Sequence, residues 1–267
     1  MHPIERLRYL ARSSGGDARV MVGETASALR GLGVDPAGLV VACRRIVERH
    51  PASGPLWWLC AHVLTAADPY ATARRLADEI DADPTPDVLI DTLPADATVC
   101  VIGWPDLAGE AVLRRGDLRV LAIDADDQGS SFVRRLDRAG VEAEVVEPSG
   151  TAAAVLAADL VLVEALAASP AELLVARGGR AAASVAYCSE VPVWGVVGVG
   201  RCVPEAGFLS LAERVADVRV PWQAEADVVA LGLLSHLVTP AGVAPAVDAV
   251  LRPECPLAHE LLGSSPG

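Results

Sequence analysis

Residues 158–204 read ADLVLVEALAASPAELLVARGGRAAASVAYCSEVPVWGVVGVGRCVP and decide the fold. The stretch begins with a short apolar run at 160–163 and ends with another at 191–197. Both runs are rich in β-branched residues, as expected for strands that are covered on both faces. A glycine turn and a run of small residues that favours a helix lie between them. This order of strand, turn, helix and strand is typical of a parallel α/β crossover.

The turn Arg177-Gly178-Gly179-Arg180 is the candidate anion site of the sequence. The start of a helix carries unpaired N–H groups and a partial positive charge, and glycines let a ligand approach the backbone closely. Each guanidinium can donate two hydrogen bonds to one phosphate group. We therefore expect these four residues to bind phosphate. The alternative is a plain turn between two elements, with solvated arginines.

Apolar runs outside this stretch continue the same pattern. Runs at 98–102, 118–123 and 141–146 alternate with helical stretches. This alternation predicts an α/β fold with a mainly parallel sheet and helices on both of its faces. The chain from residue 208 onward reads as helices and turns.

The beginning of the chain has strong helix signals and no strand signals. Asp35-Pro36 and Asp68-Pro69 each place a capping aspartate before a proline, which suits the first position of a helix. Residues 56–64 are apolar on nearly all sides, as in a buried helix. These features predict a bundle of helices.

The segment at 81–87, DADPTPD, marks the expected domain boundary. Two prolines among acidic residues resist both helix and strand. We therefore expect an N-terminal helical domain at residues 1–82 and a Rossmann-like α/β domain at residues 83–267.

Charge and composition exclude several classes of function. The chain of 267 residues has a net charge of −13, and all 22 basic residues are arginine. The negative field repels nucleic acid and anionic lipid, so neither is an expected partner. The absence of lysine excludes Schiff-base catalysis by a lysine side chain. No apolar run approaches the roughly 20 residues of a membrane span, and the charged start does not look like a signal peptide, so we expect a cytoplasmic location.

No metal and no cofactor are expected. The six cysteines and five histidines show no metal-binding spacing. Asp124, Asp126 and Asp127 crowd one loop, and carboxylates suit Mg²⁺, but such runs are usually solvated. The glycines at 195–200 are in the wrong order for a dinucleotide fingerprint.

Three segments carry a resemblance to a known family. Residues 50–59 read HPASGPLWWL and look like its Arg-Pro-Thr-Ala segment before a helix. Residues 158–186 look like its strand, Asn-Lys-Ile-Gly-Thr turn and helix, and residues 233–243, LLSHLVTPAGV, look like its Tyr-Asp-(Val/Leu)-Thr-Pro segment. In order and spacing the chain resembles the family that unites the alpha, beta and delta subunits of eukaryotic initiation factor 2B with methylthioribose-1-phosphate isomerase and ribose-1,5-bisphosphate isomerase.

The resemblance implies a helical domain, a Rossmann-like domain and a homodimer. In the family's isomerases, a cysteine and an aspartate transfer protons on a 1-phosphorylated aldose, and arginines with a lysine hold the phosphate. The cysteine falls on Gly103, the aspartate on Leu166 and the lysine on Arg177. The family's Gln-Gly pair matches Gln128 and Gly129. The resemblance thus adds Gly103, Gln128 and Gly129 to the phosphate-binding candidates.

Glycine and leucine cannot transfer protons, so the family's mechanism is not available as aligned. Three other residues are candidates for relocated acid–base work. Glu164 lies at the end of a strand, where α/β ligand crevices open. His50 titrates near neutral pH, and Asp124 follows another strand. The alternatives are a solvated charge for Glu164 and a helix-terminating residue for His50.

Three hypotheses follow. The leading one is a divergent member of this family that binds a small phosphorylated sugar or nucleotide, works as a homodimer and lacks the standard isomerase activity. The second is an active aldose–ketose isomerase with relocated acid–base residues. The third is a non-catalytic interaction or regulatory subunit.

Overall fold

The first part of the chain folds into helices, as expected. The structure, a computed structural model, describes residues 17–30, 36–217 and 219–262. The first helices are α1 (Ala18–Arg30), α2 (Pro36–Arg49), α3 (Gly54–Thr65), α4 (Pro69–Asp81) and α5 (Thr85–Thr92). The helices predicted around 56–64 and after Asp68 are confirmed. The cap predicted at Asp35 lies outside the described residues.

Local hydrogen bonds explain where two of these helices begin. Oδ1 of Asp68 accepts from the N–H groups of Tyr70 at 3.1 Å and Ala71 at 3.0 Å. Oγ of Ser53 accepts from the N–H of Leu56 at 3.3 Å. Each side chain pairs donors that the first turn of a helix leaves open, so the start of the helix is fixed by the sequence around it.

The rest of the chain alternates strands and helices. The strands are β1 (Thr98–Ile102), β2 (Arg119–Ile123), β3 (Ala143–Val146), β4 (Leu160–Ala168), β5 (Glu172–Ala176), β6 (Val193–Val196), β7 (Ala226–Ala230), β8 (His236–Thr239) and β9 (Gly242–Pro245). The helices are α6 (Leu107–Arg115), α7 (Gln128–Ala139), α8 (Thr151–Ala157), α9 (Gly179–Cys188) and α10 (Glu205–Val215). Short 3₁₀ turns lie at Pro148–Gly150, Pro221–Gln223, Leu231–Leu233 and His259–Leu261.

The main sheet has the order β3-β2-β1-β4-β6-β8-β9. All neighbours along this path are parallel except β8 and β9. The chain moves outward from β1 to β3 on one side and from β4 to β8 on the other. The strand order therefore reverses between β1 and β4, and ligand crevices of open α/β sheets form at such a switch point.

Strand β4 takes part in two kinds of pairing. Its first half lies between β1 and β6 in the parallel sheet. After a register shift between Ala165 and Ala167, its second half pairs with β5 in antiparallel fashion. Strand β5 then pairs with β7, also antiparallel. This small antiparallel extension sits against the helical part of the protein.

Helix α3 forms the centre of that contact. Trp57 and Trp58 expose 0% and 1% of their surface. They share one hydrophobic core with Leu174 of β5 and Phe208 of α10. The apolar surface all round α3 is explained by burial on every side, by the other helices and by the sheet extension.

Two sequence expectations about strands are wrong. The run at 160–163 continues as a strand to Ala168, and β5 follows it. The chain after residue 208 was expected to contain only helices and turns, yet it contributes β7, β8 and β9. These strands have four or five residues each, so local periodicity gives them little signal. The partners of β7 and β8 in the sheet, β5 and β6, lie far away in the sequence, whereas β9 pairs with the adjacent β8.

The segment at 81–87 does not resist helix formation throughout. Helix α4 runs to Asp81, and α5 starts at Thr85 with Pro86 in its first turn, where proline is well tolerated. Oδ1 of Asp83 accepts from the N–H and the Oγ1 of Thr85, at 2.9 and 2.6 Å. The connection is therefore a tight, capped turn. The domain division at 82/83 stays a prediction.

Replacing Asp68 by alanine tests the local origin of α4. We expect Asp68→Ala to lower the free energy of unfolding by about 1 kcal/mol, because two N–H groups lose their acceptor. Urea denaturation measures the loss. The matched control is Asp91→Ala, since Asp91 is exposed at the end of α5. An equal loss in both variants would contradict the capping role.

Candidate functional site

The candidate site lies at the switch point, where the carboxyl ends of β1 and β4 meet. The loop after β1, the end of β4, the turn after β5 and the loop after β6 all reach this edge of the sheet. A cavity of about 60 Å³ lies among them. Its polar lining residues are Asp106, Glu164 and Arg201, and its apolar lining includes Ile102 and Leu166.

Glu164 is tied to the start of α6. Its Oε1 accepts from the N–H of Asp106 at 3.1 Å, and its Oε2 accepts from the N–H groups of Leu107 at 3.0 Å and Ala108 at 2.9 Å. The carboxylate thus occupies the positive end of this helix, a position that favours a negative charge. The structure places Glu164 in the crevice, at the last parallel pair of β4 opposite Val196, although the strand itself continues to Ala168.

Arg201 is the cationic partner of Glu164. Its Nη2 lies 2.9 Å from Oε1 of Glu164, and the two side chains are 5% and 8% exposed. Its Nη1 donates to the carbonyl oxygen of Ala165. A guanidinium this deeply buried requires such partners, because an unpaired charge in the interior is very unfavourable.

Asp106 completes the cluster with a proton that titrates near neutral pH. Burial, followed by the nearby Glu164 carboxylate, raises the pKa of Asp106 to about 7, although Arg201 acts in the opposite direction. Oδ2 of Asp106 accepts from the N–H of Ala18 at 3.2 Å. Two carboxylates that face one guanidinium in a crevice are a common arrangement at functional sites.

A second cavity, of about 380 Å³, lies on the other side of Asp106. Trp104 and three arginines, Arg19, Arg114 and Arg135, contribute to its lining. The guanidinium carbon of Arg135 lies 5.9 Å from the centre of the Trp104 ring, within range of a cation–π contact. Trp104 and Asp106 contribute to the lining of both cavities.

Most of the predicted phosphate-binding residues meet beside β1. Gly103 has φ 64°, and a Cβ atom there would lie 3.6 Å from Cβ of Gln128. A Cβ at Gly178 would lie 3.9 Å from Cγ2 of Ile102. A Cβ at Gly129 would lie 2.9 Å from Cα of Asp124, in the loop after β2. Glycine is therefore needed at this position for close packing. The glycines predicted from the sequence thus lie at one edge of the sheet.

The two predicted arginines flank this edge. Nη2 of Arg177 lies 2.6 Å from Oδ1 of Asp126, and the side chains are 46% and 55% exposed. Arg180 is exposed at the start of α9. Because exposed ion pairs contribute little to stability, the Arg177 guanidinium can exchange its partner at low cost.

An internal carboxylate already lies at the start of α9. Oδ2 of Asp227, in β7, accepts from the N–H groups of Gly178 at 2.9 Å and Arg180 at 3.1 Å. These are the N–H groups that the sequence analysis predicted to bind a phosphate. Gly179 is buried below them, where a Cβ would lie 2.6 Å from Cγ2 of Val175.

The structure does not bring His50 and Asp124 into either cavity lining. His50 follows α2, and burial, with Arg49 beside it, lowers the pKa of its imidazole. Asp124 accepts from Oγ of Ser130 at 2.6 Å and from its N–H at 3.3 Å. Asp124 thus braces the start of α7.

Several solved structures with a similar fold are translation initiation factor 2B proteins. The eIF-2B structure from Pyrococcus horikoshii OT3 has a TM-score of 0.78 and 14% identity, with 91% of this chain and 96% of that chain covered. The tetrameric eIF2B-beta2-delta2 complex from C. thermophilum has a TM-score of 0.67 and 17% identity, with coverages of 92% and 91%. The delta subunit from A. fulgidus has a TM-score of 0.60 and 15% identity, with coverages of 91% and 88%.

The chain has the initiation factor 2B fold. The resemblance expected from the sequence is confirmed at the level of the fold, as are the helical N-terminal part and the mainly parallel sheet. No family model and no curated protein matches the sequence. Because one fold supports many functions, the function has to be argued from the site.

The two positions that the sequence resemblance assigns to the catalytic pair carry no titratable group. Gly103 has no side chain, and Leu166, which lines the inner cavity, is apolar. The neighbouring Cys100 is fully buried in β1, and burial raises the pKa of its thiol to about 12. A thiol with this pKa stays protonated at neutral pH and is a poor nucleophile.

Sequence reasoning missed Asp106, Arg201 and Asp227. Asp106 and Arg201 follow the ends of β1 and β6, and the carboxyl ends of parallel strands are where functional side chains collect. Asp227 gave no signal, because β7 was not predicted.

The described residues contain neither a metal-binding cluster nor a helix that could span a membrane. No group of three or more histidine, cysteine, aspartate or glutamate side chains in residues 17–30, 36–217 and 219–262 is arranged to hold a metal ion. No helix in this part of the chain is both long and apolar enough to cross a bilayer.

Asp106→Asn tests the proton at the centre of the site. The folded state holds this proton up to about pH 7, whereas the unfolded chain releases it near pH 3.8, the ordinary pKa of an aspartate. Wild-type stability therefore loses a contribution as pH rises from about 4 to 7, and the variant does not. We expect the stability of Asp106→Asn relative to wild type to rise by up to about 3 kcal/mol between pH 5 and pH 8. Urea denaturation at both pH values measures it, and a pH-independent difference would contradict the titration.

Proposed function

We propose that the protein binds a small phosphorylated sugar or nucleotide in the switch-point crevice and does not carry out the isomerisation of its family. The phosphate group contacts Arg177, and the rest of the ligand extends toward Glu164 and Asp106. Three features support this: the position of the crevice, its charged lining and the exposed guanidinium at its edge. The expected ligand is a small metabolite.

The observation that carries the proposal is the position of Arg177. Its guanidinium reaches Asp126, a residue of the loop after β2, and so lies across the edge where Gly103 and Gln128 meet. The ion pair is exposed and weak, so a dianionic phosphate can replace the Asp126 carboxylate. Arg177 thus has an anionic partner both in the free protein and in the complex with the phosphate.

The absence of isomerase chemistry follows from the residues at the family's catalytic positions. Gly103 and Leu166 can neither donate nor accept a proton. Glu164 has all its carboxylate contacts directed to α6 and Arg201. A proton-transfer group needs to be free to reach its substrate, so Glu164 acts as part of the scaffold in this proposal.

Asp227 restricts how the phosphate is held. Its carboxylate accepts from the N–H groups at the start of α9, so those groups do not face the ligand. The phosphate is held by guanidinium groups instead, and it experiences repulsion from the Asp227 charge. We therefore expect modest affinity for inorganic phosphate and a larger share of binding energy from the rest of the ligand.

A non-catalytic interaction subunit is the second candidate, and one observation favours it. Five large hydrophobic side chains of the α/β part are at least 60% exposed. They are Leu156, Tyr187, Trp222, Val247 and Val250. Exposed apolar side chains suit association with another chain where they form one contiguous patch, whereas isolated ones are normal on a protein surface. The tetrameric eIF2B-beta2-delta2 complex shows that proteins of this fold assemble.

We infer that this protein forms a homodimer. Light scattering after size-exclusion chromatography measures its mass.

A thermal-shift screen tests ligand binding. The panel contains ribose phosphates, methylthioribose 1-phosphate, nucleoside monophosphates and inorganic phosphate. A ligand at about 100 times its Kd adds about 2.7 kcal/mol to the stability of the folded state. We expect a selective shift that Arg177→Ala removes, because the guanidinium contacts the phosphate.

Arg74→Ala is the matched control for that screen. Arg74 is an exposed arginine of α4, away from the crevice. The ligand shift should survive in this variant. If no phosphate ester shifts the wild-type protein, while the protein is recovered in a stable complex with other chains, the interaction hypothesis replaces the ligand hypothesis.

Asp227→Asn tests the internal anion at α9. The amide oxygen can still accept from the N–H groups of Gly178 and Arg180, so the fold is kept while one negative charge is removed. We expect the affinity for the hit of the screen to rise several-fold, by about 1 kcal/mol. Isothermal titration calorimetry at low and high salt measures the change. An unchanged Kd would place the phosphate away from α9.

A further inference from the structure

The loop that follows β6, residues 198–201, is held by two carboxylates from distant parts of the chain. Oδ2 of Asp83 accepts from the N–H of Val199 at 2.9 Å. Oε2 of Glu254 accepts from the N–H of the next residue, Gly200, at 2.6 Å. Asp83 lies between α4 and α5, and Glu254 lies near the end of the described chain. Two consecutive N–H groups thus point at carboxyl groups from two distant parts of the chain.

Asp83 is the more deeply placed of the two acids. It is 8% exposed, and its other oxygen accepts from the N–H and the hydroxyl of Thr85. A Cβ at Gly198 would lie 2.3 Å from Oδ2 of Asp83. Any side chain at this position would therefore collide with the carboxylate. The loop and the aspartate fit together only because residue 198 is glycine.

The same loop delivers Arg201 to the crevice. The carbonyl oxygen of Arg201 accepts from the N–H of Ala168 at 2.7 Å, which fixes its backbone to the end of β4. Gly200 has φ 74°, and a Cβ there would lie 2.9 Å from the ring of Trp58. The backbone on either side of Arg201 is thus held from three directions, and its guanidinium reaches Glu164.

We propose that Asp83 is a positioning residue for the crevice: through the N–H of Val199 it holds the loop that places Arg201 against Glu164, and Glu254 supports it through Gly200. The junction between the helical part and the sheet is thereby coupled to the crevice. A movement at this junction therefore shifts the buried guanidinium of Arg201 as well as the neighbouring helices. The functional meaning rests on the proposed ligand site, but the coupling itself does not need a ligand.

Asp83→Asn is the principal test. Its side-chain oxygen can still accept from Thr85, while its NH₂ group faces the N–H of Val199, so two donors oppose each other. We expect amide hydrogen exchange at Val199 and Gly200 to accelerate at least tenfold. We also expect Arg201 to react at least tenfold faster with phenylglyoxal, measured by peptide mass spectrometry, because its guanidinium leaves the interior.

Thr85→Val is the matched control. It removes the hydroxyl bond to Asp83 at the start of α5 and leaves the contact with Val199 in place. We expect a loss of thermal stability in both variants but unchanged exchange and unchanged Arg201 reactivity in Thr85→Val. If Asp83→Asn changes neither readout, Asp83 is only a helix cap and the proposal is wrong.

Glu254 gives an independent route if Asp83→Asn does not fold. The Glu254 residue is exposed, although burial of its carboxyl group raises the pKa of that group to about 7; Glu254→Ala removes one acceptor at the surface and should leave the fold intact. We expect faster exchange at Gly200 and higher Arg201 reactivity in Glu254→Ala, with both restored in Glu254→Gln. Equal reactivity of Arg201 in all three proteins would overturn the proposal. None of these measurements uses a ligand, so a negative thermal-shift screen would count against the proposed function and leave this result standing.

Discussion

The contact between Glu164 and Arg201 joins the parts of the molecule that form the crevice. The carboxylate of Glu164 caps the start of α6 and pairs with the guanidinium at 2.9 Å. One side chain comes from β4, the other from the loop after β6, and the helix follows β1. Because both charges are buried, removal of either partner would leave an unpaired charge in the interior, at a cost of about 3–5 kcal/mol. The three segments are therefore fixed relative to one another.

Internal pairing extends to the other charged groups of the crevice. Arg177 pairs with Asp126, and Asp227 accepts from the N–H groups at the start of α9. In the proposed binding mode, the phosphate replaces the Asp126 carboxylate at Arg177, whereas Asp227 keeps its hydrogen bonds to the start of α9. Such an exchange selects for ligands with at least the charge of a carboxylate. The buried Glu164–Arg201 pair is the least exchangeable, since it has no solvent to stabilise its separated charges.

The sequence predicted the fold class well because its signals are local. The five β-branched runs all contain strands, and the aspartate at residue 68 starts its helix where expected. The candidate site was predicted in part. The glycines at 103, 129, 178 and 179 lie at one edge of the sheet, whereas His50 lies outside both cavities. These glycines could be predicted because a tight turn with close backbone contacts leaves no room for a Cβ atom. The sequence of such a turn therefore contains glycine at the crowded positions.

The sequence by itself determined where α2 and α4 begin and which five apolar runs overlap strands. It also determined that residues 103 and 166 are glycine and leucine, which cannot transfer protons. The tertiary structure alone decided which anion pairs with each donor. Asp126 and Arg177 are 51 residues apart, and Asp227 lies 49 residues from Gly178. Such partners are chosen by strand order and by the register of β5 against β7. Local propensity extends over a few residues, whereas a charge pairs with whatever the folded chain brings within about 3 Å.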